Sequence, residues 1–408
     1  MNLRIAVILL LCDVNAQLFG PGPLDTYKQY FRSFRSLAFN LLGRTSENPA
    51  NLRKARQLNI LQNEVPVSTP FPCNVTGYRS LQPPTTVDQV RPGDIDIIAA
   101  MGDSLTAGYG LVATEVLQVF MENRGLAWSI GGQDTWRKYL TLPNILKEFN
   151  PNLIGYSLRD SFSTDRNSQF NPAEGAAISS ELPYMTKVLL TRIINDPRVN
   201  LKRHWKLITV MIGANNFCLD ICYQADLEYV LQEHRRDMIQ TFRLLRDNLP
   251  RTIVNLVPAP DVTVLKEMTN KPNTCVFTNR IECYCLFANQ FVQHVKKYHD
   301  IIKRWQQLDE EIANMPEFQQ DEFTVIYQPF SLSLKLKENA QNKTDYSYMS
   351  RDCFHLSQKY HAESANALWN NMMQKVGQKF DSLQPLFEKF LCPSEEHPYI
   401  FTRNNSNL

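Results

Sequence analysis

The 408-residue sequence has no apolar run long enough to cross a bilayer, no low-complexity block and no internal repeat. A spanning helix needs about 20 consecutive apolar residues, so no transmembrane anchor is expected. It also lacks an excess of charge of one sign: 43 Lys and Arg stand against 41 Asp and Glu, for a net charge of +2. That balance argues against a nucleic-acid partner, which requires a concentrated basic surface. The glycines at positions 102, 108 and 110 match neither a dinucleotide fingerprint, a P-loop nor a Gly-x-Ser-x-Gly elbow. What is present is the composition of a folded globular protein, with 43% hydrophobic and 21% charged residues, which excludes a disordered or fibrous chain.

The nine cysteines are an odd number, and the first segment accounts for the extra one. Residues 1–16 carry Arg4, an apolar run from Ile5 to Cys12 and a small-residue end at Val14-Asn15-Ala16, the pattern of a secretory signal peptide. Its removal takes Cys12 with it. Cys73, Cys218, Cys222, Cys275, Cys283, Cys285, Cys353 and Cys392 remain, an even set that an extracellular, oxidising compartment would pair as disulfides. Eight cysteines allow about 105 connectivities, so the pairing stays open. Zinc at Cys283-Tyr284-Cys285 is disfavoured because the partner spacing is irregular. Glycosylation sequons at Asn74, Asn342 and Asn404 fit the same secreted route, each in a polar or Pro-rich stretch.

Nine of the 23 prolines fall between Pro21 and Pro92, which marks residues 17–90 as an N-terminal extension. Within it Tyr27, Tyr30, Phe31, Phe34, Leu37, Ala38 and Leu41 recur at helical spacing, with Lys28, Arg32 and Arg35 on the other face. That helix either packs on the main domain or lies in a lipid interface. A main domain follows over 91–395, and 396–408 reads as a polar tail. Ile95–Met101, Leu153–Tyr156, Leu207–Ile212, Ile253–Val257 and Phe323–Tyr327 read as buried strands. Between them, one helix is capped by Asp226 and ends at Pro250, and another runs from Phe287 through Trp305. Strands alternating with crossover helices predict an α/β fold, a parallel sheet covered on both faces, with its site at the carboxyl ends of the strands.

Three segments carry chemistry. The first strand runs into Gly102-Asp103-Ser104-Leu105, so Ser104 sits in a tight turn at the strand's carboxyl end, with a helix expected soon after. A nucleophile belongs there, although a serine after Gly-Asp also caps helices. In Asp352-Cys353-Phe354-His355 the carboxylate can orient the imidazole, whose other nitrogen is free to take the Ser104 proton. His234 lies on an apolar stripe and reads as a core residue, while His294 and His299 read as solvated or capping groups. A third strand leads into Gly213-Ala214-Asn215-Asn216, where Asn215 can donate to an oxyanion.

Gly-Asp-Ser-Leu at 102–105, Gly-x-Asn at 213–215 and Asp-x-x-His at 352–355, in this order, resemble the GDSL or SGNH hydrolases. Trp128-Ser129-Ile130-Gly131-Gly132 and Thr141-Leu142-Pro143-Asn144-Ile145-Leu146 extend the likeness to the animal phospholipase B branch over about residues 70–395. The resemblance implies a flavodoxin-like three-layer α/β/α sandwich and metal-free, cofactor-free ester hydrolysis. It makes Ser104 the nucleophile, His355 the base and then acid, and Asp352 its orienting partner. The oxyanion hole would use Ser104, Asn215 and a further backbone N–H. The family's Asn-x-Ala-x-x-Gly-Ala pattern is here Asn171-Pro172-Ala173-Glu174-Gly175-Ala176-Ala177, its glycine one place early. Gly175 is the choice, with Ala176 and Gly132 as alternatives. Asn216 departs from the family's usual Asp without an expected loss of catalysis. The implied substrates are phospholipids and lysophospholipids, encountered at a lipid interface. Other esters such as acylglycerols or retinyl esters are the alternative, and a non-catalytic lipid-binding protein is the rival class. Mammalian members resemble tandem repeats with a membrane anchor; one unit ending in polar residues 403–408 leads to the expectation of a soluble secreted form.

Overall fold

The structure is a computed structural model that describes residues 23–406, with side chains from residue 33. The expected signal segment 1–16 lies outside the described residues. Among those described, the helices in chain order are α1 (Pro23–Leu42), α2 (Pro49–Gln57), α3 (Ser104–Ala107), α4 (Leu142–Phe149), α5 (Leu182–Ile194), α6 (Leu227–Asn248), α7 (Asn273–Glu282), α8 (Tyr284–Phe287), α9 (Val295–Ala313) and α10 (Gln358–Met372). The strands are β1 (Ile95–Gly102), β2 (Trp205–Met211), β3 (Thr252–Leu256), β4 (Gln319–Gln320) and β5 (Phe323–Tyr327). They form one sheet in the order β1-β2-β3-β5-β4, parallel throughout except for the short β4 edge. No described helix is long and apolar enough to cross a membrane.

Alternation along the strands builds two cores. Ile97, Ala99 and Met101 of β1 and Ile208 and Val210 of β2 face α5, α6 and α9, whereas Ile98, Ala100 and Leu207 face α4 and α10. A sheet buried on both faces needs apolar residues on both, which explains why these runs are nearly continuous. The α/β/α sandwich is thus the architecture of the chain. Asp226 caps α6 by accepting from the Glu228 N–H at 2.9 Å, as the sequence predicts.

Three expectations change. Leu153–Tyr156 is reduced to one parallel bridge between Ile97 and Ile154, because Gly155 takes φ +101° and turns the chain out of register. Counting that segment as a vestigial strand beside β1, the order becomes 2-1-3-4-5, the flavodoxin-like order, whose switch point lies between β1 and β2. The helix expected from Phe287 begins only at Val295, since disulfides Cys218–Cys283 and Cys222–Cys285 tie the preceding chain into short turns. The polar tail is also docked: Ile400 is fully buried, its N–H bonds the Val90 carbonyl, and Phe401 bonds that of Met372.

The N-terminal helix packs on the main domain, but with its phase rotated from the hydrophobic stripe. Phe34 meets Phe120 edge-on at 5.0 Å and Phe39 meets Phe162 at 4.9 Å. Leu37 and Leu41 are exposed, and Arg35 is buried. The reason is electrostatic: Arg35 lies 2.6 Å from Glu122 and 3.4 Å from Glu174, and a buried carboxylate needs a paired cation. Tyr27, Tyr30, Phe31, Lys28 and Arg32 have no described side chains.

Candidate active site

Ser104 opens α3 at the carboxyl end of β1. Asp103 caps the turn, its side chain accepting from the Leu105 N–H at 2.9 Å. Gly102 has φ +154°, and a Cβ there would lie 2.3 Å from the Met211 carbonyl oxygen, so only glycine lets β1 and β2 converge below the serine. The expected helix is a single turn, closed by Gly108 at φ 76°. Local N–H groups, rather than a long helix dipole, are therefore what Ser104's surroundings offer an anion.

His355 arrives from 251 residues away and its Nε2 lies 2.8 Å from Ser104 Oγ. Its Nδ1 lies 2.5 Å from Asp352 Oδ2. Asp352 Oδ1 accepts from the backbone N–H groups of Phe354 (3.1 Å) and His355 (3.0 Å). Burial alone would push the Asp352 carboxyl up, but His355 and these two donors outweigh it and hold it below its ordinary range. The turn that allows this puts Cys353 at φ +56°, and the Cys275–Cys353 disulfide ties it to α7. The other pairs among the eight cysteines are Cys73–Cys392, Cys218–Cys283 and Cys222–Cys285, which leaves no thiolate for zinc at Cys283 or Cys285.

Around Ser104 the donors divide clearly. The N–H groups of Ser104, Gly175 and Ala176 donate to no acceptor among the described residues. Gly132 is excluded as a donor, because its N–H is committed to the Ser157 carbonyl at 2.8 Å. A Cβ on Gly175 would lie 2.2 Å from Tyr109 Oη, so that glycine serves close packing. The left-handed conformation falls instead on Ala176, at φ +60°. Asn215 donates one amide hydrogen to the Ala177 carbonyl at 3.0 Å, leaving the second free. Asn216 Oδ1 accepts from the Ser179 N–H at 3.1 Å, a role an amide oxygen fills as well as a carboxylate.

Sequence patterns do not reveal the network behind this loop. Arg124, fully buried, donates to the carbonyls of Asn171 (2.9 Å) and Ala173 (2.6 Å) and to Glu122. Arg35 donates to Tyr109 Oη at 2.7 Å, and the Tyr109 ring stacks on His355 with centroids 5.5 Å apart. The only signal for any of these was the position of Tyr109 just after the Ser104 turn. His234 is a satisfied core residue bonded to Asp309 at 2.9 Å. His299 pairs with Asp261 at 2.8 Å, and His294 is exposed.

Among the described residues, Glu282, Asp352 and His355 are the three whose donor atoms approach within 4.8 Å of one another. Both ring nitrogens of His355 are already engaged, so the set does not fit a cation. An apolar cleft is lined by Leu105, Ala214 and Phe354, the chain neighbours of Ser104, Asn215 and His355, together with Val262, Leu265 and Leu336 among others.

A hydroxyl, imidazole and carboxylate in one hydrogen-bonded chain, at the switch point of a parallel sheet, is the constellation by which serine hydrolases are recognised. The profile of the GDSL-like Lipase/Acylhydrolase family matches residues 98–368, and the chain belongs to that family. Among curated proteins it is 36% identical over 335 residues to "Phospholipase B1, membrane-associated" of Mus musculus, covering 80% of this chain and 22% of that protein. Against the Homo sapiens protein of the same name it is 35% identical over 338 residues, covering 80% and 22%. The chain therefore spans about a fifth of the length of these curated relatives. Among solved structures, phospholipase A1 from Streptomyces albidoflavus NA297 superposes with a TM-score of 0.29 at 12% identity, covering 67% of this chain and 97% of that one.

Proposed function

We propose that the protein is a secreted serine esterase that cleaves acyl esters of phospholipids and lysophospholipids through an acyl-enzyme. The observation that carries the reading is the 2.8 Å contact between Ser104 Oγ and His355 Nε2, with Asp352 behind it. Ser104 attacks the acyl carbonyl while His355 takes its proton. Asp352, kept ionised, holds the imidazole with Nδ1 protonated and supports the imidazolium. The developing oxyanion is met by the N–H groups of Ser104 and of Ala176 or Gly175, and by the free Asn215 amide hydrogen. His355 then protonates the leaving alkoxide and activates water against the acyl-enzyme.

The substrate class rests on two supports. The curated relatives are named phospholipases, and the cleft lined by Leu105, next to Ser104 in the chain, is walled largely by aliphatic and aromatic carbon, the chemistry that contacts an acyl group. Four disulfides favour an oxidising compartment. Asn74, Asn342 and Asn404 are all exposed, as glycan attachment requires.

The test uses defined diacyl and lysophospholipids, with product masses identified, with and without a calcium chelator. Release of free fatty acid, unaffected by the chelator and abolished by Ser104→Ala, is expected. Full activity in Ser104→Ala, or failure of a fluorophosphonate to label Ser104 in the folded protein, would sink the reading.

A further inference from the structure

Helix α7 presents one face to the turn that carries Asp352 and His355. Cys275, Thr278, Asn279 and Glu282 follow the i, i+3, i+4, i+7 spacing of a single helical face. Cys275 is bonded to Cys353. Thr278 Oγ1 donates to the Asp352 carbonyl at 2.5 Å, and Asn279 Nδ2 to the Cys353 carbonyl at 3.1 Å. The fourth residue, Glu282, brings its carboxyl within 4.8 Å of the side-chain atoms of Asp352 and His355. Its Oε2 is buried with no hydrogen-bond partner among the described residues.

Two carboxylates this close and this desolvated do not both ionise. Asp352 has the imidazole and two backbone N–H groups to support its charge; Glu282 Oε2 has none. We infer that Glu282 is a positioning residue that carries a proton and donates it, as a neutral acid, in a hydrogen bond to Asp352, extending the Ser104-His355-Asp352 chain by one member. Burial and the neighbouring Asp352 charge push the Glu282 carboxyl well above its ordinary range, in keeping with that assignment. A donor on Asp352 weakens its pull on the His355 Nδ1 proton, so Glu282 sets both the orientation of the dyad and the basicity of the imidazole.

The inference rests on the esterase reading, and the test separates the two. The other ionisable groups facing this site are Asp103 and Tyr109 from the Ser104 side and His361 from α10; all are unchanged in the variants. The measurement is the pH profile of kcat/KM and kcat on a soluble p-nitrophenyl ester. Glu282→Gln keeps a neutral donor and is expected within about threefold of wild type, with the acid limb unmoved. Glu282→Leu removes the donor and is expected to lower kcat about tenfold, the equivalent of ~1.4 kcal/mol, with KM nearly unchanged. Its acid limb should move up by about half a unit or more, because an unassisted Asp352 holds the imidazolium more tightly. A structural role alone would lower kcat without moving the limb, and that result overturns the assignment. A downward shift of the limb in Glu282→Gln also overturns it, since it would mean that an ionised carboxylate had been removed. Should the leucine variant not fold, Glu282→Met takes its place, removing the donor at nearly the original side-chain volume, with the same expected and overturning results. Activity that survives Ser104→Ala overturns the esterase reading; loss in Ser104→Ala with a flat response in Glu282→Leu overturns only the role of Glu282.

Discussion

Replacing Arg35 with methionine tests whether the N-terminal helix is part of the catalytic unit. The Arg35 guanidinium sits 2.6 Å from Glu122, 2.7 Å from Tyr109 Oη and 3.4 Å from Glu174. Its side chain is 8% exposed and that of Glu122 is fully buried. Methionine keeps much of the volume but leaves the cluster of Arg35, Arg124, Glu122 and Glu174 with one uncompensated negative charge. Breaking a buried pair by removing one partner costs about 3–5 kcal/mol. The lower end applies, because Glu122 keeps Arg124 at 2.5 Å and Glu174 is partly solvated, 24% exposed. A loss of about 3 kcal/mol corresponds to a fall in Tm of roughly 3–4 °C for a chain of this size. Well below that temperature kcat should still drop, since Tyr109 stacks on His355 and Glu174 immediately precedes Gly175 and Ala176. The assay is denaturant unfolding with ester kinetics for Arg35→Met, Glu174→Gln and the double variant. A coupling of about 1 kcal/mol between the two sites is expected, as for residues sharing one ion-pair network. An Arg35→Met protein with unchanged stability and kcat would refute the reasoning and reduce α1 to a helix resting on the surface.

Ala176→Gly should raise stability by about 0.5–1 kcal/mol, the relief of φ +60° less the extra chain entropy of glycine, with kcat unchanged because a backbone N–H is all that the proposed oxyanion hole would take from this residue; a loss of stability would show that Ala176 is unstrained. His361, whose Nδ1 accepts from the Trp128 N–H at 3.3 Å, is held by burial at about 3, far below its ordinary value. Between about pH 6.5 and 3 the unfolded chain binds a proton that the folded one refuses, so stability falls as pH falls, by on the order of 4–5 kcal/mol. Denaturant unfolding at pH 7 and pH 4 should show a smaller loss in His361→Gln; equal losses would remove His361 from the account. Asp103 has the opposite sign: burial raises its carboxyl to about 6, so its contribution to stability declines as pH rises from about 4 through 6, and Asp103→Asn, which keeps the cap on Leu105, should be the more stable protein above pH 6. Cys275→Ser with Cys353→Ser opens a loop closed over 78 residues, with an expected cost of about 2–4 kcal/mol. Activity should fall before global unfolding is detected, and full activity in the doubly substituted protein would show that Asp352 needs no such tie.

Much of this protein is readable from its sequence because it follows from short-range rules. Buried strands declare themselves as brief apolar runs, Asp226 as a cap, and Ser104 as a residue after a glycine that alone tolerates the turn. Asp352 and His355 are three residues apart, so their pairing is nearly local. The contact between His355 and Ser104 spans 251 residues, and motif order made it legible without any view of the fold. Periodicity treats arginine as solvent-facing, and for that reason it put Arg35 on the outside of α1, where a buried and a half-buried carboxylate, 87 and 139 residues further along, pull it inward. No local rule states that Leu37 faces out, that Gly155 ends a strand after one bridge, or that the Gly132 N–H is consumed by Ser157. The four disulfides could not be paired by counting, and Glu282 has no motif at all. Those features exist only once distant segments share a desolvated space, where the cost of an unpaired charge or donor decides which side chains turn in and which proton stays.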